Sequence, residues 1–108
     1  MGAVGRYVKM KARPGQGQAL AEVMLRVAGG LRSTAGCELY VINRTSSDPD
    51  VVWVTEIWAS QEAVDASLKE LEGERGKAQL AEVMALLDGR PERTDLEPLG
   101  GVGFPAGR

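Results

Sequence analysis

Two apolar segments of this sequence carry the side chains best suited to chemistry. Glu56 and Trp58 alternate along V-V-W-V-T-E-I-W, so a strand would place both on one face with Val54. Arg6 shares a strand face with Val8 in the first apolar segment. A carboxylate buried without a partner is costly, so we expect Glu56 either to meet a cation such as Arg6 or to serve as a base.

The composition excludes several kinds of catalysis. The sequence has no histidine, and Cys37 is its one cysteine. Ser-His-Asp and Cys-His catalysis, imidazole metal ligation and a cysteine zinc cluster are therefore excluded. Chemistry must use carboxylates, Tyr, Trp, Arg, Lys, Asn, the thiol or the reactivity of the substrate itself.

Charge and hydropathy limit the partners and the compartment. The 13 basic and 15 acidic residues give a net charge of −2, which argues against nucleic acid as a partner. No apolar run approaches the roughly 18 residues that cross a bilayer, so no membrane partner is expected. A single cysteine and the lack of an apolar leader at the N-terminus predict a cytoplasmic protein.

Hydropathy periods predict the elements that position these residues. Alternation of period two predicts strands, and spacings of three and four predict helices. The strands are expected at Val4–Ala12, Cys37–Arg44, Val51–Trp58 and Arg93–Leu99. The first helix follows the Arg13-Pro14-Gly15 break and contains the stripe Leu20, Val23, Met24, Val27 and Leu31.

The second helical region is predicted in two pieces. Ser60 is a suitable N-cap, and Glu62 in the first turn complements the helix dipole. The stretch Gly73–Gly76 interrupts the apolar stripe, which resumes at Leu80. The order β-α-β-β-α-β predicts an α+β, ferredoxin-like sandwich with an antiparallel sheet. We expect one domain over residues 1–99 and a Gly- and Pro-rich tail over 100–108.

The third strand has apolar residues on both faces. Helices can cover one face, but so short a chain has too few elements left to cover the other. The simplest cover is a second copy of the chain, so we expect a homodimer through the open sheet face. Tyr7 and Tyr40 are predicted to point toward that partner, opposite Val8 and Leu39. Cys37 is expected to be an inert core thiol.

Several short motifs resemble those of a known family. They are the Pro14-Gly15 turn, Gly36-Cys37 at the start of the second strand, Glu56-x-Trp58 at the end of the third, and Ser60-x-x-Ala63 at the start of a helix. Together they resemble the antibiotic biosynthesis monooxygenase domain, a group of small dimeric α+β barrels, and the resemblance extends over about residues 4–99. The resemblance implies dimerisation through the open sheet faces and oxygenation of aromatic polyketides and quinols without flavin or metal.

The resemblance also implies which residues form the site. Trp58 would face the pocket between sheet and helices and stack on a flat substrate, with Glu56 as base and Arg6 stabilising an anion. Ser67 aligns with a helix histidine of many members, and Val8 or Val54 aligns with a strand asparagine. We expect the substrate to be lined by Val8, Val54, Ser67 and Met24. The haem-degrading branch of related barrels needs a histidine ligand, so haem chemistry is not expected.

The sequence therefore predicts a cofactor-independent monooxygenase that oxidises an electron-rich polycyclic phenol, anthrone or quinol. Two alternatives use the same barrel. One is a polyketide cyclase or isomerase, which needs acid–base positioning and no oxygen. The other is a non-catalytic dimer that binds a small aromatic ligand.

Overall fold

The computed structural model describes residues 2–103, so the predicted tail is described only as far as Gly103. A four-stranded antiparallel sheet in the order β2-β3-β1-β4 carries three helices, which is the predicted ferredoxin-like arrangement. The elements are β1 (Val4–Lys11), α1 (Gly17–Gly30), β2 (Cys37–Thr45), β3 (Asp48–Trp58), α2 (Gln61–Glu70), α3 (Glu74–Leu86) and β4 (Glu92–Leu96).

The core lies between the helices and one face of the sheet. Even-numbered residues of β1 and β3 point into it, as the alternation predicts, and α1 and α3 supply the opposing side chains. Its buried members are Met10, Ala12, Leu20, Val23, Met24, Val52, Val54, Val83 and Leu87. Complete burial of a large aliphatic side chain in this core stabilises the folded protein by about 1.5–3 kcal/mol.

The start of α1 is held by a residue of β3. The backbone N–H groups of Gly15 and Gly17 donate to the Asp50 carboxylate at 3.1 and 3.0 Å, and the Asp50 carbonyl accepts from Ala12 N–H at 2.8 Å. The carboxylate satisfies donors at the positive end of the helix dipole. A side chain at Gly17 would collide with the Pro49 carbonyl, since a Cβ would lie 1.8 Å from that oxygen. The Pro14-Gly15 turn is therefore held in place by Asp50, which is 35 residues from Gly15 in the sequence.

The second helical region follows the prediction. The Ser60 hydroxyl accepts a hydrogen bond from Ala63 N–H at 3.1 Å and caps α2. The chain then breaks between α2 and α3, where a Cβ on Gly76 would lie 2.4 Å from Leu71 Cα. Within residues 2–103, no helix is long and apolar enough to span a membrane.

Within residues 2–103 the opposite face of the sheet is less covered, although Val51 at one end of it is buried. Tyr7 stacks on Trp53 with ring centroids 4.8 Å apart, and the Lys9 ammonium lies 5.6 Å from the Trp53 ring centroid. Exposed or half-buried apolar residues surround this cluster: Leu39, Val41, Ile57 and Leu96. We call this surface the open face.

Two strand boundaries differ from the predictions by more than one residue. β3 begins at Asp48, so the hairpin turn is only Ser46–Ser47 instead of the whole predicted loop Thr45–Asp50. β4 covers Glu92–Leu96 and ends before Pro98, because proline has no N–H for the ladder and restricts the residue before it.

The prediction that Tyr40 faces a partner subunit was wrong. Thr45 pairs with Asp48 but Arg44 pairs with Val52, so residues 49–51 intervene on β3 without a β2 partner. An odd shift in register moves every following side chain to the other face, and Tyr40 therefore packs against the core. A second irregularity pairs Cys37 with Trp58 and Leu39 with Ile57, so these two side chains lie on different faces of the sheet.

Candidate active site

One row of polar side chains crosses the helix side of the sheet. In the strand register Glu56 lies between Arg6 of β1 and Tyr40 of β2, and Asp95 of β4 pairs with Arg6. The neighbouring row toward the centre of the core is apolar over β2, β3 and β1, with Ile42, Val54 and Val8. The polar row therefore marks one end of an otherwise hydrophobic face.

A buried hydrogen bond fixes the centre of this row. The Trp58 indole N–H donates to Glu56 Oε1 at 2.9 Å, and the two residues are only 3% and 8% exposed. Both side chains lie on the same strand face because they are two residues apart in β3. A hydrogen bond to a charged acceptor offsets part of the cost of burying the carboxylate. The indole donor thus holds Glu56 in one orientation.

Two groups near Glu56 are kept protonated. Burial raises the pKa of the Tyr40 phenol well above its ordinary value; the charge of Glu56, and that of Cys37 once the thiol ionises, add to that shift, and Arg6 opposes it. Burial also raises the pKa of the Cys37 thiol, and Glu56 and Glu38 add to the effect. At neutral pH the phenol and the thiol are therefore both neutral, and the phenol is a proton donor beside a carboxylate.

Close packing positions the end of the sheet that carries the site. Gly36 has φ +85°, and a Cβ there would lie 2.4 Å from Ala63 Cβ in the first turn of α2. The Ala59 N–H also donates to the Gly36 carbonyl at 2.8 Å. Two motifs that are far apart in the sequence, Gly36-Cys37 and Ser60-x-x-Ala63, therefore fit against each other beside Trp58.

A cavity of about 610 Å³ opens at the Tyr40 end of the row. It lies between the C-terminal half of α1 and β2, and this volume is within the range of about 300–1,000 Å³ that holds small organic ligands. We call it the α1–β2 cavity. Its lining residues are Leu25, Ala28, Gly29, Leu31, Arg32, Cys37, Glu38, Leu39, Tyr40, Val41 and Ile42.

The sequence-predicted site residues are distributed over three places. Arg6, Glu56 and Trp58 come together in or beside the polar row, behind Tyr40 as seen from the α1–β2 cavity. Val54 and Met24 are buried in the core, and Val8 packs against them. Their contact with a substrate stays a prediction, as does stacking of a substrate on the buried Trp58 ring.

Ser67 lies apart from the polar row. Its hydroxyl donates to the Val64 carbonyl at 2.7 Å, and the residue lines a second cavity of about 300 Å³ between the three helices. Arg26, Leu71 and Arg75 are among the other residues of that cavity. A role of Ser67 in the same site as Glu56 also stays a prediction.

Sequence reasoning missed Tyr40 and Cys37 as cavity residues. Counting pairs outward from the Ser46–Ser47 turn would place Tyr40 opposite Trp53, on the open face. The Asp48-Pro49-Asp50 segment could have indicated the change of face, because a proline inside a strand often marks an irregular hydrogen-bond ladder. Among residues 2–103, no group of three or more cysteine, aspartate or glutamate side chains is placed to hold a metal ion.

The comparisons with known proteins agree on one family. The family model described as antibiotic biosynthesis monooxygenase matches residues 3–78. A crystal structure from Chloroflexus aurantiacus J-10-fl, named provisionally as an antibiotic biosynthesis monooxygenase, is 33% identical with a TM-score of 0.78, and the match covers 95% of this chain and 99% of that one.

Two further solved structures have the same fold. One from Caulobacter crescentus CB15, named provisionally in the same way, is 26% identical with a TM-score of 0.76 and covers 92% of each chain. One from Nitrosomonas europaea reaches a TM-score of 0.81 at 13% identity, covering 97% of this chain and 94% of that one, and this likeness concerns the fold alone. No curated protein matches the chain.

Proposed function

The chain belongs to the antibiotic biosynthesis monooxygenase family, and from that premise we propose that it is a cofactor-independent monooxygenase acting on an electron-rich polycyclic phenol, anthrone or quinol. The observation that carries the proposal is the buried Trp58–Glu56 hydrogen bond in a polar row that ends at a cavity of about 610 Å³. Glu56 pairs with Tyr40, which lines that cavity, so in this proposal a proton of an acidic aromatic substrate reaches the carboxylate past Tyr40.

In this mechanism the substrate supplies the electrons. Glu56 accepts a proton from the substrate carbon acid or hydroxyl, which leaves an enolate or phenolate. The anion transfers one electron to O2, and the resulting radical and superoxide combine into a peroxide. Protonation and loss of water then give the quinone. For an anthrone, the methylene carbon becomes a carbonyl carbon, and one O2 yields the new carbonyl oxygen and one water.

Arg6 and Trp58 would have different roles in the reaction, set by charge and by hydrogen bonding. Arg6 carries a permanent positive charge next to Glu56 and would stabilise the substrate anion. Trp58 is a positioning residue in this account, because its N–H is bonded to Glu56 and its ring is buried. The surrounding apolar side chains exclude water, which strengthens each of these interactions.

The same proposal includes a homodimer that pairs two open faces. Tyr7, Leu39 and Val41 are 38–39% exposed and Leu96 is 49% exposed, and all four lie on this face of the sheet. Aromatic side chains near the centre of such a patch are typical anchors of a protein interface. Light scattering at micromolar concentration is expected to report twice the 11.5 kDa chain mass.

The monooxygenase proposal is tested with anthrone under air. We expect purified protein to accelerate quinone formation over buffer, with equal uptake of O2, and we expect Glu56→Gln to lower kcat by a factor of about 100. Glu72→Gln, at an exposed position after α2, is the matched control and should leave the rate unchanged. No acceleration across several anthrones and quinols would reject the enzyme.

One observation also favours the cyclase or isomerase alternative. The neutral Tyr40 phenol beside the Glu56 carboxylate is an acid–base pair that could move protons without oxygen. Product formation at the same rate under nitrogen would identify this second function. Saturable binding of aromatic compounds without turnover of any kind would instead identify a binding protein.

A further inference from the structure

Tyr40 occupies the position where the polar row meets open space. Its strand pairing places it next to Glu56, and it is also one of the residues that line the α1–β2 cavity. The ring packs against the hydrophobic core, which fixes the orientation of the side chain. Glu56 and Trp58 lie deeper, so Tyr40 is the member of this neighbourhood that a ligand in the cavity would meet first.

The hydroxyl of Tyr40 is available to such a ligand. It makes no hydrogen bond to any residue in the described range 2–103. Burial and the Glu56 charge raise the pKa of the phenol, so the O–H keeps its proton across the physiological range. The other polar lining side chains are Arg32, Glu38 and Cys37, and none of them is a neutral hydroxyl.

We propose that Tyr40 is a specificity-determining residue that donates a hydrogen bond to the oxygen of a hydroxylated aromatic ligand in the α1–β2 cavity. This inference rests on the proposed function for the aromatic class of the substrate. A site built around one such donor selects ligands that carry an acceptor oxygen over the hydrocarbons of equal shape, because the hydrocarbon leaves the donor without a partner.

The Cys37 thiol can report whether a ligand is bound in the cavity. Cys37 is the single cysteine of the chain and lines the same cavity as Tyr40. A ligand seated there should slow alkylation of the thiol by iodoacetamide, and the ligand concentration that halves the rate measures its dissociation constant. This readout needs no turnover.

The test compares 2-naphthol with 2-methylnaphthalene. In the wild type we expect both to protect Cys37, with 2-naphthol binding about tenfold more tightly. Tyr40→Phe should raise the dissociation constant of 2-naphthol about tenfold and leave that of 2-methylnaphthalene unchanged. Tyr7→Phe, which removes the other tyrosine hydroxyl from the open face, should change neither value.

Every other outcome overturns the role of Tyr40. Equal weakening of both ligands in Tyr40→Phe would indicate a packing role, and an unchanged preference or no protection in the wild type would show that the hydroxyl does not contact the ligand. The proposed function fails separately. Selective binding without oxidation of any anthrone would reject the monooxygenase and support the role of Tyr40. Oxidation of anthrone with unaltered selectivity in Tyr40→Phe would support the monooxygenase and reject the role of Tyr40.

Discussion

The two faces of β3 each have three apolar residues between Val51 and Trp58, and their surroundings differ. On the helix side, Val52, Val54 and Trp58 are at most 3% exposed, and a charged residue, Glu56, is buried among them. On the open face, Trp53 contacts Tyr7 and Lys9 and is only half-buried. The chain covers the first face with its own helices, and the second face is the one that the proposed homodimer would bury.

In the proposed function this difference separates a catalytic face from an assembly face within one strand. The covered face can hold a carboxylate away from water, where its interactions are strong. The open face has aromatic rings and a lysine, which suit a surface that must stay compatible with water until it is covered. We therefore expect substitutions on the two faces to fail in different ways.

The largest effect should come from a charge on the open face. Tyr7→Asp places two carboxylates at the centre of the proposed symmetric interface, and we expect the dimer dissociation constant to rise about a thousandfold, or about 4 kcal/mol. Leu80→Asp, at a 48% exposed position on α3, is the control and should leave the dimer intact. Sedimentation measures both, and an undissociated Tyr7→Asp dimer would refute the interface.

Valine-to-alanine substitutions on the helix side and on the open face of the sheet should lower the free energy of unfolding by different amounts. Val54 is 1% exposed on the helix side, so Val54→Ala is expected to lower the free energy of unfolding by about 2–3 kcal/mol. Val41→Ala, at a 39% exposed position on the open face, should cost less than about 0.5 kcal/mol in the monomer. Urea denaturation of the dissociated protein gives both values; equal losses would contradict the asymmetry.

The two tryptophans provide a matched pair on opposite faces. Trp58→Phe removes the donor of a buried carboxylate and should lower the free energy of unfolding by about 2–3 kcal/mol. Trp53→Phe removes a donor to the Thr45 hydroxyl at 2.8 Å, a partly buried neutral bond, and should cost about 1 kcal/mol. Thermal unfolding measures the difference, and a larger loss for Trp53→Phe would contradict the role given to Glu56.

The smallest effect is a spectroscopic shift. Burial and Glu56 disfavour the Tyr40 phenolate, so the folded protein should still hold this phenol protonated at a pH of about 10, where an unfolded tyrosine is half ionised. The difference in tyrosinate absorbance between wild type and Tyr40→Phe isolates this group. The sign for stability follows: the contribution of neutral Tyr40 is complete below its unfolded pKa and is lost as pH rises toward the folded pKa. Ionisation at the same pH in folded and denatured protein would contradict the burial of Tyr40.

Local patterns predicted the elements and the inward face of two strands. The alternation around Met10, the cap at Ser60 and the break before Gly76 depend on neighbours in the sequence, and each agrees with the structure. The grouping of Arg6 with Glu56 followed from the same alternation.

The face on which Tyr40 lies and the α1–β2 cavity could not be predicted from local patterns, because both depend on the pairing of strands. The face of Tyr40 depends on an irregular stretch of β3 after the hairpin, and that stretch also supplies Asp50 to the start of α1. The capping contact joins Asp50 to residues 33 and 35 positions away, and the register shift arises from the pairing of β2 with β3, so no period within one strand contains either of them. The α1–β2 cavity follows from the same pairing, because it brings Tyr40 to the helix side.

The measurement that tests the central claim most directly is the fate of isotopically labelled O2 during anthrone oxidation. We predict that purified wild-type protein in the presence of a metal chelator incorporates one labelled oxygen atom into each quinone formed and consumes one O2. The Glu56→Gln protein should do so far more slowly. Quinone oxygen that comes from water, or a rate equal to that of buffer, would contradict the proposal that the covered face of the sheet carries out the oxygenation.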